Sequence, residues 1–182
     1  QELSDINNIK NQLFRQQKMA GRVLLNTILG EPGKIEYNVN GKPLLKSHGF
    51  DISFSHCKNQ VALMLSKKTA GIDTQNITPK IRRIVRKFMN RPELESLREE
   101  NYETHATLYW CAKEALYKAI GQKGTDFRTH LQIEPMENPE NQGQLRAQIS
   151  LPNFEQTIQL PFLRWDDYAC VWAVLPIPSP EN

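Results

Sequence analysis

Apolar residues at Leu3, Ile6, Ile9, Leu13 and Phe14, and again at Leu24, Leu25 and Ile28, recur at helical spacing. Residues 3–29 therefore read as a long helix, with Gly21 the place for an interruption. Arg15, Lys18 and Arg22 follow at three- and four-residue steps and fall on one stripe of it. Residues 30–49 are turn-rich, with room for one short strand around 34–39. "DISFSH" (51–56) and "QVALMLS" (60–66) read as two strands joined by a tight turn, and "TAGIDTQ" (69–75) begins a third extended piece. From Thr78 to Asn90 the pattern is helical again, with Thr78 placed to cap and Pro79 at the first helical position. A short helix follows from 91 to 100. Residues 102–120 carry the strongest helical pattern, with Leu108, Ala112, Ala115, Leu116 and Ala119 on one face and Gly121 as the stop. Strand candidates at 129–134, 144–151, 155–163 and 168–175 close the chain, the last turn falling at 165–168.

This order predicts an α+β chain with antiparallel pairing, not a doubly wound parallel sheet. No G-x-G-x-x-G and no Walker loop occurs, so the standard dinucleotide and nucleoside-triphosphate cradles are absent. The 182 residues suit one domain or two small halves sharing a core. A net charge of +3 fits an anionic partner without choosing among nucleotides, acidic proteins and RNA. Cys57, Cys111 and Cys170 are odd in number and widely spaced, which reads as reduced thiols in a cytoplasmic protein with no zinc site. No apolar run reaches membrane-spanning length, so no membrane association is expected. The chain starts at Gln1 rather than Met, which reads as a trimmed start, and "PIPSPEN" (176–182) as a frayed tail.

Two acids draw attention. Asp73 ends the strand-like run "AGID", and Glu114 lies inside the apolar helix with Lys118 one turn on. Taken singly, Asp73 reads as a turn cap, and Glu114–Lys118 as a surface pair worth about 0.3–0.5 kcal/mol. Taken together, two carboxylates from separate elements can converge on a hard cation such as Mg²⁺, which binds one or two carboxylates plus water and phosphate oxygens. A lysine beside them would then face the same phosphates. Ser55 and His56 end a strand, where a histidine is as readily structural, and Lys42 sits in the turn "NGKP".

"GKP" (41–43), "ISFSH" (52–56), "GID" (71–73) and "WCAKEALYK" (110–118) occur in order and resemble the signature blocks of the 4′-phosphopantetheinyl transferases. The resemblance is to the larger, monomeric, surfactin-synthetase-activating branch and spans residues 41–118. It implies two pseudo-symmetric halves, each a helix on a small antiparallel sheet, divided here as 1–76 and 77–182, with coenzyme A in the cleft between them. It implies Mg²⁺-dependent transfer of 4′-phosphopantetheine from coenzyme A to a serine of an acidic apo acyl or peptidyl carrier protein, with release of adenosine 3′,5′-bisphosphate. Asp73 and Glu114 would hold the metal, Glu114 would take the serine proton, and Lys118 would neutralise the diphosphate. Ser55 and His56 match positions that hold the 3′-phosphate, and Lys42 matches a coenzyme-binding lysine. Arg22 matches a basic position of the first helix, ahead of Arg15 and Lys10. Lys113 matches the motif but points about 100° around the helix from Glu114. Gln75 departs from the pattern, standing where the larger branch has a second acid; weaker metal binding through Gln75 is expected, not loss of the site.

"PKIRRIVRKFMNR" (79–91) holds Lys80, Arg82, Arg83, Arg86, Lys87 and Arg91. Together with part of 92–105 it reads as a docking surface for the carrier, with Ile81, Ile84, Val85 and Phe88 turned inward. A solvated face and an RNA-binding face are the rivals. The missing aromatic stripe argues against RNA, and no nucleic-acid partner is expected. A coenzyme A-binding protein without catalysis is the other alternative.

Overall fold

The computed structural model describes residue 6 and residues 8–45, 48–136 and 140–176. Helix α1 (Gln12–Leu29) starts at Asn11, whose side chain accepts a hydrogen bond from Phe14 N–H. Strands β1 (Glu36–Tyr37), β2 (Pro43–Leu45), β3 (Phe50–Cys57) and β4 (Gln60–Ser66) form a four-stranded antiparallel sheet in chain order. Leu25 of α1 is fully buried with Leu45 and Ile52 of this sheet, and Gly21 lets the helix approach the ring of Phe54.

The second sheet has the order β5-β9-β8-β7-β6, with β5 (Ala70–Asn76), β6 (Leu131–Ile133), β7 (Gln142–Leu151), β8 (Phe154–Trp165) and β9 (Tyr168–Val174) all antiparallel. Between β5 and β6 the chain forms a 3₁₀ turn (Pro79–Arg83), short helices α2 (Val85–Phe88) and α3 (Arg91–Ser96), a second 3₁₀ turn (Glu99–Asn101) and the long helix α4 (Tyr102–Ile120). The predicted apolar face of α4 is fully buried: Leu108, Ala112, Ala115, Leu116 and Ala119 have no exposure. Small residues on that face bring β5 unusually close. A Cβ at Gly71 would lie 2.0 Å from the Ala115 carbonyl oxygen, so only glycine fits there.

The two sheets meet where β3 faces β5. Asp51, Ser53 and Ser55 alternate along β3 and project from one face of it. Their side chains accept the backbone N–H groups of Ala70 (2.7 Å), Ile72 (3.0 Å) and Thr74 (3.0 Å). These N–H groups belong to the edge of the second sheet that β9 does not cover, so a rail of side chains closes an edge that would otherwise be open. On the opposite face of β3, Ile52 and Phe54 pack in the core under α1.

The α+β class and the β3–β4 hairpin match the sequence reading, and some segments differ. β5 pairs with β9 along its whole length. The first sheet is a meander in chain order, and the second is a meander of β6 to β9 with β5 added beside β9. The expected helix over 78–90 is broken into a 3₁₀ turn and the four-residue α2, and Thr78 makes no side-chain cap. Within the expected helix 3–29, residues 3–5 and 7 lie outside the described residues, as does most of the tail at 176–182. The helix proper begins at Gln12.

Gly71→Ala is expected to cost at least about 3 kcal/mol, the upper range for forcing an extra carbon into a packed interior, because the obstacle is backbone. A denaturant midpoint close to that of the wild type would contradict the packing described.

Candidate functional site

Asp73 sits in the middle of β5 and is almost wholly buried, at 2% exposure. A carboxylate so placed needs donors, and it has three. Its Oδ1 accepts from Ser55 Oγ (2.7 Å) and Lys118 Nζ (2.6 Å), and its Oδ2 from Gln75 Nε2 (3.1 Å). Lys118 also donates to the Ile72 carbonyl (3.0 Å), which ties α4 to β5 on the side away from β9. The expected Glu114–Lys118 pairing along the helix is thus replaced by a pairing across elements, Lys118 with Asp73.

Glu114 is half-buried beside this cluster. Burial pushes its carboxyl up from the ordinary range, the charge of Asp73 pushes it further, and Lys118 offsets part of the rise. Glu114 thus feels the charge of Asp73, a repulsion that a divalent cation held between the two would relieve. Burial keeps the nearby thiols protonated: that of Cys111 is raised well above its usual value and that of Cys170 to about 12, and both respond to the charge of Asp73. The donors are therefore hard oxygens, those of Asp73 and Glu114 plus the amide oxygen of Gln75. Among the described residues no cluster of three or more His, Cys, Asp or Glu side chains is arranged around a metal position. Two protein carboxylates nonetheless fit an ion that completes its shell with water and phosphate oxygens.

A basic cleft of about 300 Å³ opens beside the carboxylates, lined by α1, the β1–β2 turn, β3 and the end of α4. Lys18, Lys42, Lys118, Lys123 and His56 all line it, and among the described residues no acid does. Lys118 is the bridge, with its ammonium on Asp73 and its side chain in the cleft wall. A second cleft of about 240 Å³ adjoins the first, sharing Lys18, Tyr37, Phe54 and His56 and adding Arg22. His56 stands exposed between them, edge-on to Phe14 with ring centroids 5.5 Å apart. Burial first, then Lys18 and Lys118, hold its pKa down, so an anion placed here would draw a proton onto the ring. Arg22 is half-buried against Tyr37; burial lowers its pKa and Tyr37 opposes this.

Lys42 is buried, donating to Asp51 Oδ2 (2.8 Å) and to the Ala119 carbonyl (3.1 Å). Two of its three N–H donors thus pin the end of α4 to β3, which the sequence motif did not show. Lys113 is not at the cleft. It is wholly buried on the other side of α4, donating to Glu93 Oε2 (2.8 Å) and to the carbonyls of Phe88 (3.0 Å) and Phe127 (2.7 Å). This corrects its expected coenzyme-binding role. The 100° turn away from Glu114 aims Lys113 into the core, and all its donors are engaged there. Glu93 in turn accepts from Asn90 N–H and Ile133 N–H, so the pair locks α3 and β6 against α4. The sequence reading missed Lys123, Asp51 and Glu93. Only Glu93 had a local signal, as the acid three residues after the helix-capping Asn90.

The profile of the 4′-phosphopantetheinyl transferase superfamily matches residues 69–173, more than half of the 182-residue chain. The protein belongs to that superfamily. The matched stretch holds Asp73, Gln75, Lys113, Glu114 and Lys118, whereas Arg22, Lys42, Ser55 and His56 lie outside it. Comparison with curated proteins finds no match. Among the described residues no helix is long and apolar enough to cross a membrane.

Because the folded-state pKa of Glu114 lies above its ordinary value, its ionised form costs stability, and that cost fades as pH falls through the raised pKa. Glu114→Gln is therefore expected to raise Tm at neutral pH. The gain should vanish near the ordinary value of 4.5. A Tm at neutral pH equal to or below that of the wild type would contradict the raised pKa of Glu114.

Proposed function

We propose that the protein transfers 4′-phosphopantetheine from coenzyme A to a serine of an apo carrier protein, releasing adenosine 3′,5′-bisphosphate. The observation that carries this reading is Lys118, which joins a buried carboxylate niche to a cleft walled by cations. Superfamily membership supports phosphopantetheine as the group moved. Phosphoryl transfer depends mainly on positioning and on charge stabilisation, and scattered cations around one acid pair supply both.

Asp73 and Glu114, with Gln75, are the residues to hold Mg²⁺, which when bound supplies positive charge to the diphosphate. Lys118 places a second positive charge beside it, and Lys18 and Lys123 extend that field along the cleft. His56, with Arg22 close by, is placed for the 3′-phosphate. The carrier serine's oxygen forms a bond to the β-phosphorus as the bond from that phosphorus to the bridging oxygen breaks. The electron pair leaves with the bisphosphate. Glu114 receives the serine proton, a role open to a half-buried carboxylate beside Asp73 and Lys118.

The carrier docks, on this reading, against the exposed Arg83, Arg86 and Lys87, beneath which Ile81, Val85 and Phe88 are buried. Arg82 is a weaker docking candidate than its neighbours, since it is held by Glu99 and Glu103 and lies over the Tyr102 ring. Acidic helical carriers complement such a surface, and the attraction weakens with salt.

Incubation with coenzyme A, Mg²⁺ and a panel of apo carrier proteins is expected to add the mass of one phosphopantetheinyl group to one serine. Asp73→Asn and Lys118→Met should each lower the rate by about 10²-fold or more. Arg83→Ala/Arg86→Ala should raise the Michaelis constant for the carrier and leave that for coenzyme A unchanged. Tight coenzyme binding with no mass gain on any carrier would favour a coenzyme-binding protein without transfer.

A further inference from the structure

We propose that Ser55 is a positioning residue that orients Asp73 for metal binding, and that it is not a ligand of the coenzyme's 3′-phosphate. This rests on the transferase reading and assigns one residue of that same site.

A serine hydroxyl has one proton to donate. Here it goes to Asp73 Oδ1 at 2.7 Å, and a lone pair of the same oxygen accepts Thr74 N–H at 3.0 Å. Ser55 is buried, at 5% exposure. It borders the smaller cleft, but the proton a phosphate oxygen would need is already directed at a carboxylate. His56, the next residue, is exposed and lines both clefts, so an anion there meets His56 rather than the Ser55 hydroxyl.

The other donors to Asp73 are less fixed. Lys118 and Gln75 are both partly exposed, and each reaches the carboxylate through a longer, more flexible side chain. Ser55 has a single side-chain torsion, and the Thr74 N–H fixes its oxygen from β5 itself. It comes from the first sheet, whereas Asp73 belongs to the second, so the orientation of the acid is set across the joint between them. Groups of this kind, which touch a metal ligand and not the metal, commonly change metal affinity when removed.

The same rail supplies the control. Ser53 is equally buried and holds Ile72 N–H at 3.0 Å, as Ser55 holds Thr74 N–H, but no hydrogen bond from Ser53 to a carboxylate is found among the described residues. Ser53→Ala and Ser55→Ala therefore remove equivalent rungs, and only the second frees Asp73.

The test is Mn²⁺ titration of the full chain, followed by the electron paramagnetic resonance of free Mn²⁺, with calorimetric titration of adenosine 3′,5′-bisphosphate and adenosine 5′-phosphate in the absence of metal. Ser55→Ala should weaken Mn²⁺ binding by about ten- to hundredfold. Ser55→Thr, which keeps the hydroxyl, should restore it, and Ser53→Ala should stay close to wild type. The preference of Ser55→Ala for the bisphosphate over the monophosphate should equal that of the wild type. Loss of that preference with Mn²⁺ binding intact would overturn the proposal, as would equal loss of Mn²⁺ affinity in Ser53→Ala, or wild-type protein that binds no Mn²⁺. Ser55-dependent Mn²⁺ binding in a protein that takes up neither nucleotide would leave the positioning role standing and defeat the transferase reading instead.

Discussion

The contact on which the remaining structure depends is the rail of Asp51, Ser53 and Ser55 against the exposed backbone of β5. A sheet edge carries N–H groups that must be paired, covered or wet. Here they are satisfied by short polar side chains from another sheet, so the two sheets join without merging their ladders. Neutral hydrogen bonds of this kind contribute about 1 kcal/mol each, and those to a carboxylate somewhat more. Their main effect is positional: β3 can sit in only one register along β5, because a one-residue slip would turn Ile52 and Phe54 toward the rail.

Both ends of the rail lead into the site. At one end, Asp51 also receives the Lys42 ammonium, which holds the Ala119 carbonyl and so fixes the end of α4. At the other, Ser55 reaches Asp73. Gly71 lets α4 lie directly on β5, which brings Glu114 and Lys118 to the carboxylate. The buried Lys113–Glu93 pair then fixes the rotation of α4 from its opposite side. Adjacent residues thus divide the work: Lys113 faces the core and Glu114 the site. The cost is that the charge of Asp73 bears on Glu114, with Lys118 offsetting part of the rise.

Much of this was legible in the sequence. The periodicity of residues 102–120, the alternation of 51–66 and the turn at 165–168 gave the long helix, the hairpin and the last pair of strands. The motif blocks singled out Asp73, Glu114 and Lys118, which the fold brings together. Residues 78–90 were misread as one helix because each helical piece is too short for periodicity to separate from a 3₁₀ turn, and burial of Ile81, Val85 and Phe88 sustains them instead. Lys113 was read as ligand-facing because a motif reports residue type, whereas its partner Glu93 is fixed only by tertiary contact; the links from Lys42, which lines the cleft, to Asp51 and Ala119 are likewise tertiary. A trace of the rail was visible, since "DISFS" places polar residues at every second position of a strand. That pattern equally describes a strand with one face in water, and no local signal separates the two.

The central claim is that Asp73 and Glu114, distant in the chain, act as one cation site. A double-mutant cycle on Mn²⁺ affinity tests it most directly, with Asp73→Asn, Glu114→Gln and the pair together. A shared site predicts that either substitution alone removes most of the affinity and that the double variant is little worse. Losses that simply add, or a single variant that binds Mn²⁺ as the wild type does, would show that the two carboxylates serve different ends.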